Sequence, residues 1–326
     1  MVKDLVVIAL GGNAILGKND KGYVEKMWRN IYRAAEPIVD LYTKGNKIIV
    51  THGNGPQVGN ILEWFECAKY RIPPLTMDIA CAMTQGWIGY MLQQAIGNEL
   101  VRRGYHRKVV AVVNQVLVSV DDNAFRNPEK FVGPYYSYED AESLAKKHGW
   151  IFRQDPRGGW RRVVPSPEPL ENLEVEAIKT LVDRGYIVIA SGGGGVPVAS
   201  NSGGIVRGVE AVIDKDLASS LLAISIGASR FVILTDIDCV YIDYGKPGMR
   251  PIRRIKASEA LRMVEEGIFP PGSMGPKVKA SAIFALRTGR ASYIGHLDRM
   301  IDVFNGNSGT IVEPLDEDLL GSIEKD

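Results

Sequence analysis

Short β-branched runs followed by glycine, then by helical periodicity, recur along this chain, and no other feature restricts its fold as much. "LVVIALGG" (5–12) precedes "YVEKMWRNIYRAAEPIVDLYTKG", where apolar residues return at helical spacing until Gly45. "KIIVTHGNGPQVGNILEWF" (47–65) repeats the arrangement, and "KVVAVVNQVLVSV" (108–120), "YIVIASGGGGVPV" (186–198) and "RFVILTDIDCVY" (230–241) extend it. Strands that are apolar throughout, rather than alternately, are covered on both faces. Alternating with helices, they predict an α/β fold on a mainly parallel sheet. Ligands of such sheets bind outside the carboxyl ends of the strands, where these glycine turns fall.

One segment breaks the rhythm. Residues 121–170 are rich in proline, aromatic and charged residues, with helical spacing only at "YEDAESLAKKHG". A stretch so long without the strand–helix pattern predicts an inserted lid or protruding subdomain; a surface excursion without a role is the plainer alternative. The rhythm restarts at "GVEAVIDKDLASSLLAISIGAS", so a boundary near residue 208 divides the chain into 1–208 and 209–326. A prior of roughly 150 residues per domain agrees.

A net charge of +1 supplies no basic field for nucleic acid. Cys67, Cys81 and Cys239 are few, odd in number and without CxxC spacing, which suits a reducing compartment and gives no zinc signature. The opening "MVKDLVVIALGGNA" is too brief an apolar run for a secretion signal or a membrane span. A cytoplasmic location, away from membranes, is expected.

Three glycine loops stand at strand ends: "GGNA" (11–14), "HGNGPQVG" (52–59) and "SGGGGVPV" (191–198). Glycine lets backbone approach a ligand closely, and N–H groups at a helix start can cradle anionic oxygens. Tight turns demanded by the fold are the competing explanation. GxxxxGK[ST] is absent, and "GNGPQVG" misses GxGxxG by one position, so neither a P-loop nor a dinucleotide fingerprint is present. Separate loops suit a small anion held by backbone.

Two lysines follow such passages. "VIDKDLASS" sets Lys215 between Asp214 and Asp216 at a helix mouth, and "GSMGPK" delivers Lys277 to the start of another helix. A cation there opposes the helix dipole. Either aspartate could be a simple cap and either lysine a solvated surface charge. Taken with the loops, the pair suits an anion of high charge such as a phosphoryl group in transfer. His52, His106, His148 and His296 are scattered, and no GxSxG elbow occurs. An acceptor that is already anionic would need no general base. His52 could contact substrate or simply cap its loop.

Together these residues resemble the carbamate kinases of the amino-acid kinase superfamily. The likeness is carried by "ALGGNA", "THGNGPQVGN", "NPEKFVGPYY", "GWRRVVPSPEP", "SGGGGVPV", "EAVIDKDLAS", "LTDIDCVY" and "GSMGPKV", with "GTIVEP" toward the end. It implies an open αβα sandwich with a mainly parallel sheet and an inserted protruding subdomain at about 121–170. Residues 1–208 would handle carbamate and 209–326 the nucleotide, usually in a homodimer. The implied reaction is ATP + carbamate ⇌ ADP + carbamoyl phosphate, with Mg²⁺ accompanying the nucleotide and no tightly bound metal held by the protein.

By motif match, Gly11, Gly12, Asn13, Gly53, Asn54, Gly55, Gly193 and Gly194 would contact the phosphoryl group and carbamate. Lys215 and Lys277 would neutralise charge, Asp216 would orient both, and Lys130 would descend with the subdomain. Thr235, Asp236, Tyr241, Met274 and Gly275 would line the nucleotide. Cys239 departs from the expected pattern; beside a nucleotide it would confer thiol sensitivity, and buried it would be inert. A kinase for another small carboxylate would lack the "NPEK…GWRRVVPSP" insertion. A catalytically silent nucleotide sensor could dispense with Lys215, Asp216 or Lys277, and all three are present.

Overall fold

The computed structural model describes residues 4–16, 23–155, 158–270 and 272–314. Eight strands form the central sheet: β1 (Leu5–Leu10), β2 (Lys47–His52), β3 (Val109–Ala111), β4 (Ile187–Ile189), β5 (Arg230–Thr235), β6 (Arg254–Lys256), β7 (Ser292–His296) and β8 (Thr310–Glu313). Their spatial order is β6-β8-β7-β5-β1-β2-β4-β3, and neighbours run parallel except β7 and β8. Helices α1 (Gly12–Ile15) and α2 (Val24–Thr43) follow β1, while α3 (Gly55–Ala68) and α4 (Met77–Arg102) follow β2. Next come α5 (Tyr138–His148), α6 (Val175–Asp183) and α7 (Lys215–Ser225). The chain continues through α8 (Ala257–Glu265), α9 (Met274–Thr288) and α10 (Met300–Phe304).

Successive strand residues point to opposite faces, and β1 shows the result. Val6, Ile8 and Leu10 enter a core with α2, α4 and α10, whereas Val7 and Ala9 enter a second core with α6, α7, α8 and α9. Both faces of the sheet are therefore covered, which is why its strands read as unbroken apolar runs. The fold is an αβα sandwich on a mainly parallel sheet.

Two long runs divide instead of forming single strands. Residues 108–120 supply β3 and then Gln115–Leu117, which belongs to a separate four-stranded sheet with Val196–Ser200, Val206–Gly208 and Glu171–Asn172. Residues 186–198 split in the same way around Ser191–Gly195. The hinge of the first run is Asn114. Its backbone N–H donates to Gln85 Oε1 (3.0 Å), its carbonyl accepts from Gln85 Nε2 (3.0 Å), and its Oδ1 accepts from Ser191 N (2.6 Å). A polar side chain satisfied this way holds the two turns side by side.

The excursion is a subdomain with its own three-stranded antiparallel sheet: Lys130–Tyr136, Trp160–Val164 and Ile151–Gln154, with α5 beside it. The helix expected at "YEDAESLAKKHG" is present, capped by Ser137, which accepts from Asp140 N at 3.0 Å, and closed by left-handed Gly149. Its strands carried no continuous apolar signal because their burial is partial, and Ile151–Gln154 has no buried residue. Val132 and Val164 of the subdomain share a core with Val58, Ile61 and Leu62 of α3.

Candidate active site

The strand order reverses direction at β1, which has β2 on one side and β5 on the other. A crevice at the carboxyl ends of such strands is the usual ligand position. The glycine loops meet there. Gly11 N donates to Leu234 O at 2.8 Å, and Gly53 N donates to Leu10 O at 3.1 Å. A Cβ added to Gly53 would lie 3.2 Å from Gly12 N, so the first two loops are in backbone contact. The third is packed just as tightly: a Cβ on Gly193, whose φ is +64°, would lie 2.1 Å from Asn54 Nδ2. On Gly192 it would lie 2.3 Å from His52 Nε2, and on Gly194 2.7 Å from Ile213 O. Gly192, Gly193 and Gly194 are thus held to glycine by the approach of neighbouring loops, whatever they also do for a ligand. Asn54 is fixed by donating to Thr84 Oγ1 at 2.9 Å. Gly12 and Asn13 open α1, and Gly55 opens α3; the Asn13 side chain lies outside the described residues.

Lys215 and Asp216 begin α7, and Asp214 is its cap, with Oδ1 accepting from Asp216 N (2.9 Å) and Leu217 N (3.4 Å). Freed from capping, Asp216 lies between the two lysines: Oδ1 is 2.7 Å from Lys215 Nζ, and Oδ2 accepts from Lys277 Nζ at 2.9 Å. Lys277 comes from the first turns of α9, 61 residues further on. Lys215 also points toward Ala9 O (3.5 Å) near the end of β1. From the subdomain, Lys130 Nζ donates to Asp214 Oδ2 at 2.5 Å. Three lysines and two aspartates thus form one array with a single net positive charge.

Burial dominates its electrostatics. It pushes Lys215 down to about 8, with Asp216 pulling the other way. Burial alone would raise the Asp216 carboxyl, yet Lys215 and Lys277 hold it well below the usual carboxylate range. Lys277 is likewise penalised by burial, but Asp216 outweighs this and raises it. His52 is pushed down to about 4 by burial, and its Nδ1 lies 3.0 Å from Gly53 O, so it is a neutral loop residue near Lys215.

Of the residues expected at a nucleotide, Thr235 and Asp236 stand at the carboxyl end of β5. Thr235 closes β5 and its hydroxyl donates to Asp236 Oδ1 at 3.1 Å, while the Asp236 charge reaches Lys277. Tyr241 donates to Asp238 Oδ1 at 2.7 Å. Met274 and Gly275 begin α9, and Met274 is packed into the core rather than displayed. Cys239 is buried, and burial raises its thiol.

Several polar residues here stand in or beside the motifs with no role read from the sequence. Thr51 Oγ1 is 2.6 Å from Ser219 Oγ, which itself donates to Lys215 O at 2.5 Å, so β2 holds the first turn of α7. Gln57, in the first turn of α3, is buried and its amide finds no hydrogen-bond partner among the described residues. Asn114 was detectable only as a polar residue inside an apolar run, and Gln57 only as a member of "HGNGPQVG" to which no role was given.

Comparison with known proteins gives a consistent result. Residues 4–296 match the amino acid kinase family. Carbamate kinase of Pyrococcus furiosus is 49% identical over 95% of this chain and 99% of its own length. Carbamate kinase from Giardia lamblia bound to citric acid superposes with a TM-score of 0.91 at 41% identity, covering 96% of this chain and 99% of that one. The same enzyme bound to AMP-PNP gives a TM-score of 0.88 at 42% identity, with 96% and 99% covered.

Proposed function

The chain belongs to the amino acid kinase family, and from that membership we propose that it is a carbamate kinase, catalysing ATP + carbamate ⇌ ADP + carbamoyl phosphate. The observation that carries this reading is Asp216 held between Lys215 and Lys277 where the glycine loops meet. A carboxylate oxygen of carbamate attacks the γ-phosphorus, the new O–P bond forms, and the bond to the ADP oxygen breaks. Carbamate arrives as an anion, so no base removes a proton. Catalysis then rests on positioning and on stabilising charge.

Lys215 and Lys277 supply that charge, and Asp216 fixes their ammonium groups. Gly11, Gly12, Asn13, Gly53, Asn54, Gly55, Gly193 and Gly194 hold carbamate and the phosphoryl oxygens through backbone and amide donors. Thr235, Asp236, Tyr241, Met274 and Gly275 flank the nucleotide, whose Mg²⁺ enters with it as part of the substrate. Lys130 joins when the subdomain closes and excludes water. Residues 1–208 would serve the acceptor and 209–326 the nucleotide, in a cytoplasmic homodimer. No described helix is long and apolar enough to cross a membrane.

The test is ATP formation from carbamoyl phosphate, ADP and Mg²⁺ by the purified protein. Turnover well above that of Lys215→Ala is expected. Equal rates would sink the assignment.

A further inference from the structure

Asp214 divides its carboxylate between two tasks. Oδ1 caps α7 through Asp216 N and Leu217 N, and Oδ2 takes the ammonium of Lys130, 84 residues away on the first strand of the subdomain. The same segment touches the subdomain twice more. Val212 N donates to Pro165 O at 2.9 Å, and Val212 packs in one cluster with Val132 and Val164. We propose that Asp214 is a positioning residue that latches the closed subdomain by holding Lys130 at the mouth of α7. This deepens the reading of Lys130 as the lid-borne cation of a carbamate kinase and rests on it.

The cap gives the latch its precision. Because Oδ1 is committed to the backbone of α7, Oδ2 is a stationary acceptor beside Lys215 and Asp216. An ammonium has three N–H donors, so Lys130 bound to Asp214 can still offer others to a phosphoryl oxygen. Its long side chain would otherwise sample many rotamers, and fixing it in advance removes an ordering cost from the reaction. Asp214 therefore acts through Lys130 and touches no substrate.

The two tasks are separable. Asparagine is as good an N-cap as aspartate, but Asp214→Asn puts a neutral amide opposite Lys130. Asp214→Ser keeps a capping oxygen and lacks reach, and it carries the test if the first variant melts early. Rates of ATP formation would be measured for Asp214→Asn, Lys130→Met and the double variant, together with tryptic cleavage within the subdomain. Each single change should lower kcat/KM about tenfold or more, the scale of a hydrogen bond to a charged group. The double variant should fall less than about twofold below Lys130→Met, as residues acting through one contact do. Cleavage of the subdomain should quicken in Asp214→Asn without a change in melting temperature.

Wild-type rates and cleavage in Asp214→Asn would overturn the latch. So would an undiminished loss in the Lys130→Met background, which would mean that Asp214 acts directly on Lys215 and Lys277. Absence of ATP formation in every form, wild type included, would instead sink the kinase reading, and the cleavage comparison would still decide the latch.

Discussion

Lys215 is a buried ammonium whose charge is favoured chiefly by Asp216 and further by Asp214. Burial depresses it to about 8 from an ordinary 10.5, against the pull of Asp216. Between those values the unfolded chain binds a proton that the folded one does not, so this group's contribution to stability rises with pH across that window. Activity moves the opposite way, because phosphoryl transfer needs the charge. The profile of kcat/KM, which reports the free enzyme, should fall as pH rises through about 8. At saturation the bound phosphates favour the ammonium, so the fall in kcat should move to higher pH. Lys215→Arg, whose guanidinium stays protonated, should lack this limb at whatever rate remains; the same limb in that variant would assign it to another group. Residue types and spacing revealed the lysines, but not which aspartate does what. Asp214 and Asp216 differ only in backbone position, and helix geometry makes the first a cap and frees the second.

The contact of α3 with the subdomain is built on two missing side chains. A Cβ on Gly59 would lie 1.9 Å from Gly133 N, and Gly133 itself has φ +73°. No rotamer can relieve a clash with backbone. Gly59→Ala should therefore lift the strand Lys130–Tyr136 and Lys130 with it, even though alanine favours an isolated helix by roughly 1 kcal/mol. A drop of tenfold or more in kcat/KM is expected, on the scale of a hydrogen bond to a charged group, with faster proteolysis inside the subdomain and little change in the main melting transition. Unchanged activity in a folded Gly59→Ala protein would refute that seating. The element pattern was legible where burial is two-sided, as in β1 and β2, and where caps are local, as in α5. It was illegible where a strand is only partly buried, as in the subdomain, and where Asn114 turns an apolar run from one sheet into another.

At the scale of the molecule, strand order lay beyond the sequence, because β1 pairs with β2 on one side and on the other with β5, bringing Val6 beside Arg230 from the far end of the chain. One apolar surface, likewise beyond the sequence, is exposed by the fold. Ile79, Met83, Gly86, Tyr90 and Val101 recur at helical spacing along α4 and are all exposed, while its opposite side fills the core. Tyr90 meets Trp28 of α2 edge-on at 6.0 Å, and Trp28 in turn lies 5.8 Å from Tyr32, so the apolar stripe continues onto a second helix. An exposed apolar stripe of this kind marks an interaction site. A two-fold pair covers it most simply, since the same patch serves both copies. The expected homodimer should therefore form through α2 and α4. Met83→Glu combined with Tyr90→Lys should shift sedimentation from dimer to monomer while leaving the lysine array, which comes from other elements, able to turn over. A wild-type protein that sediments as a monomer at micromolar concentration would remove the dimer. A double variant that stays dimeric would move the interface to another face.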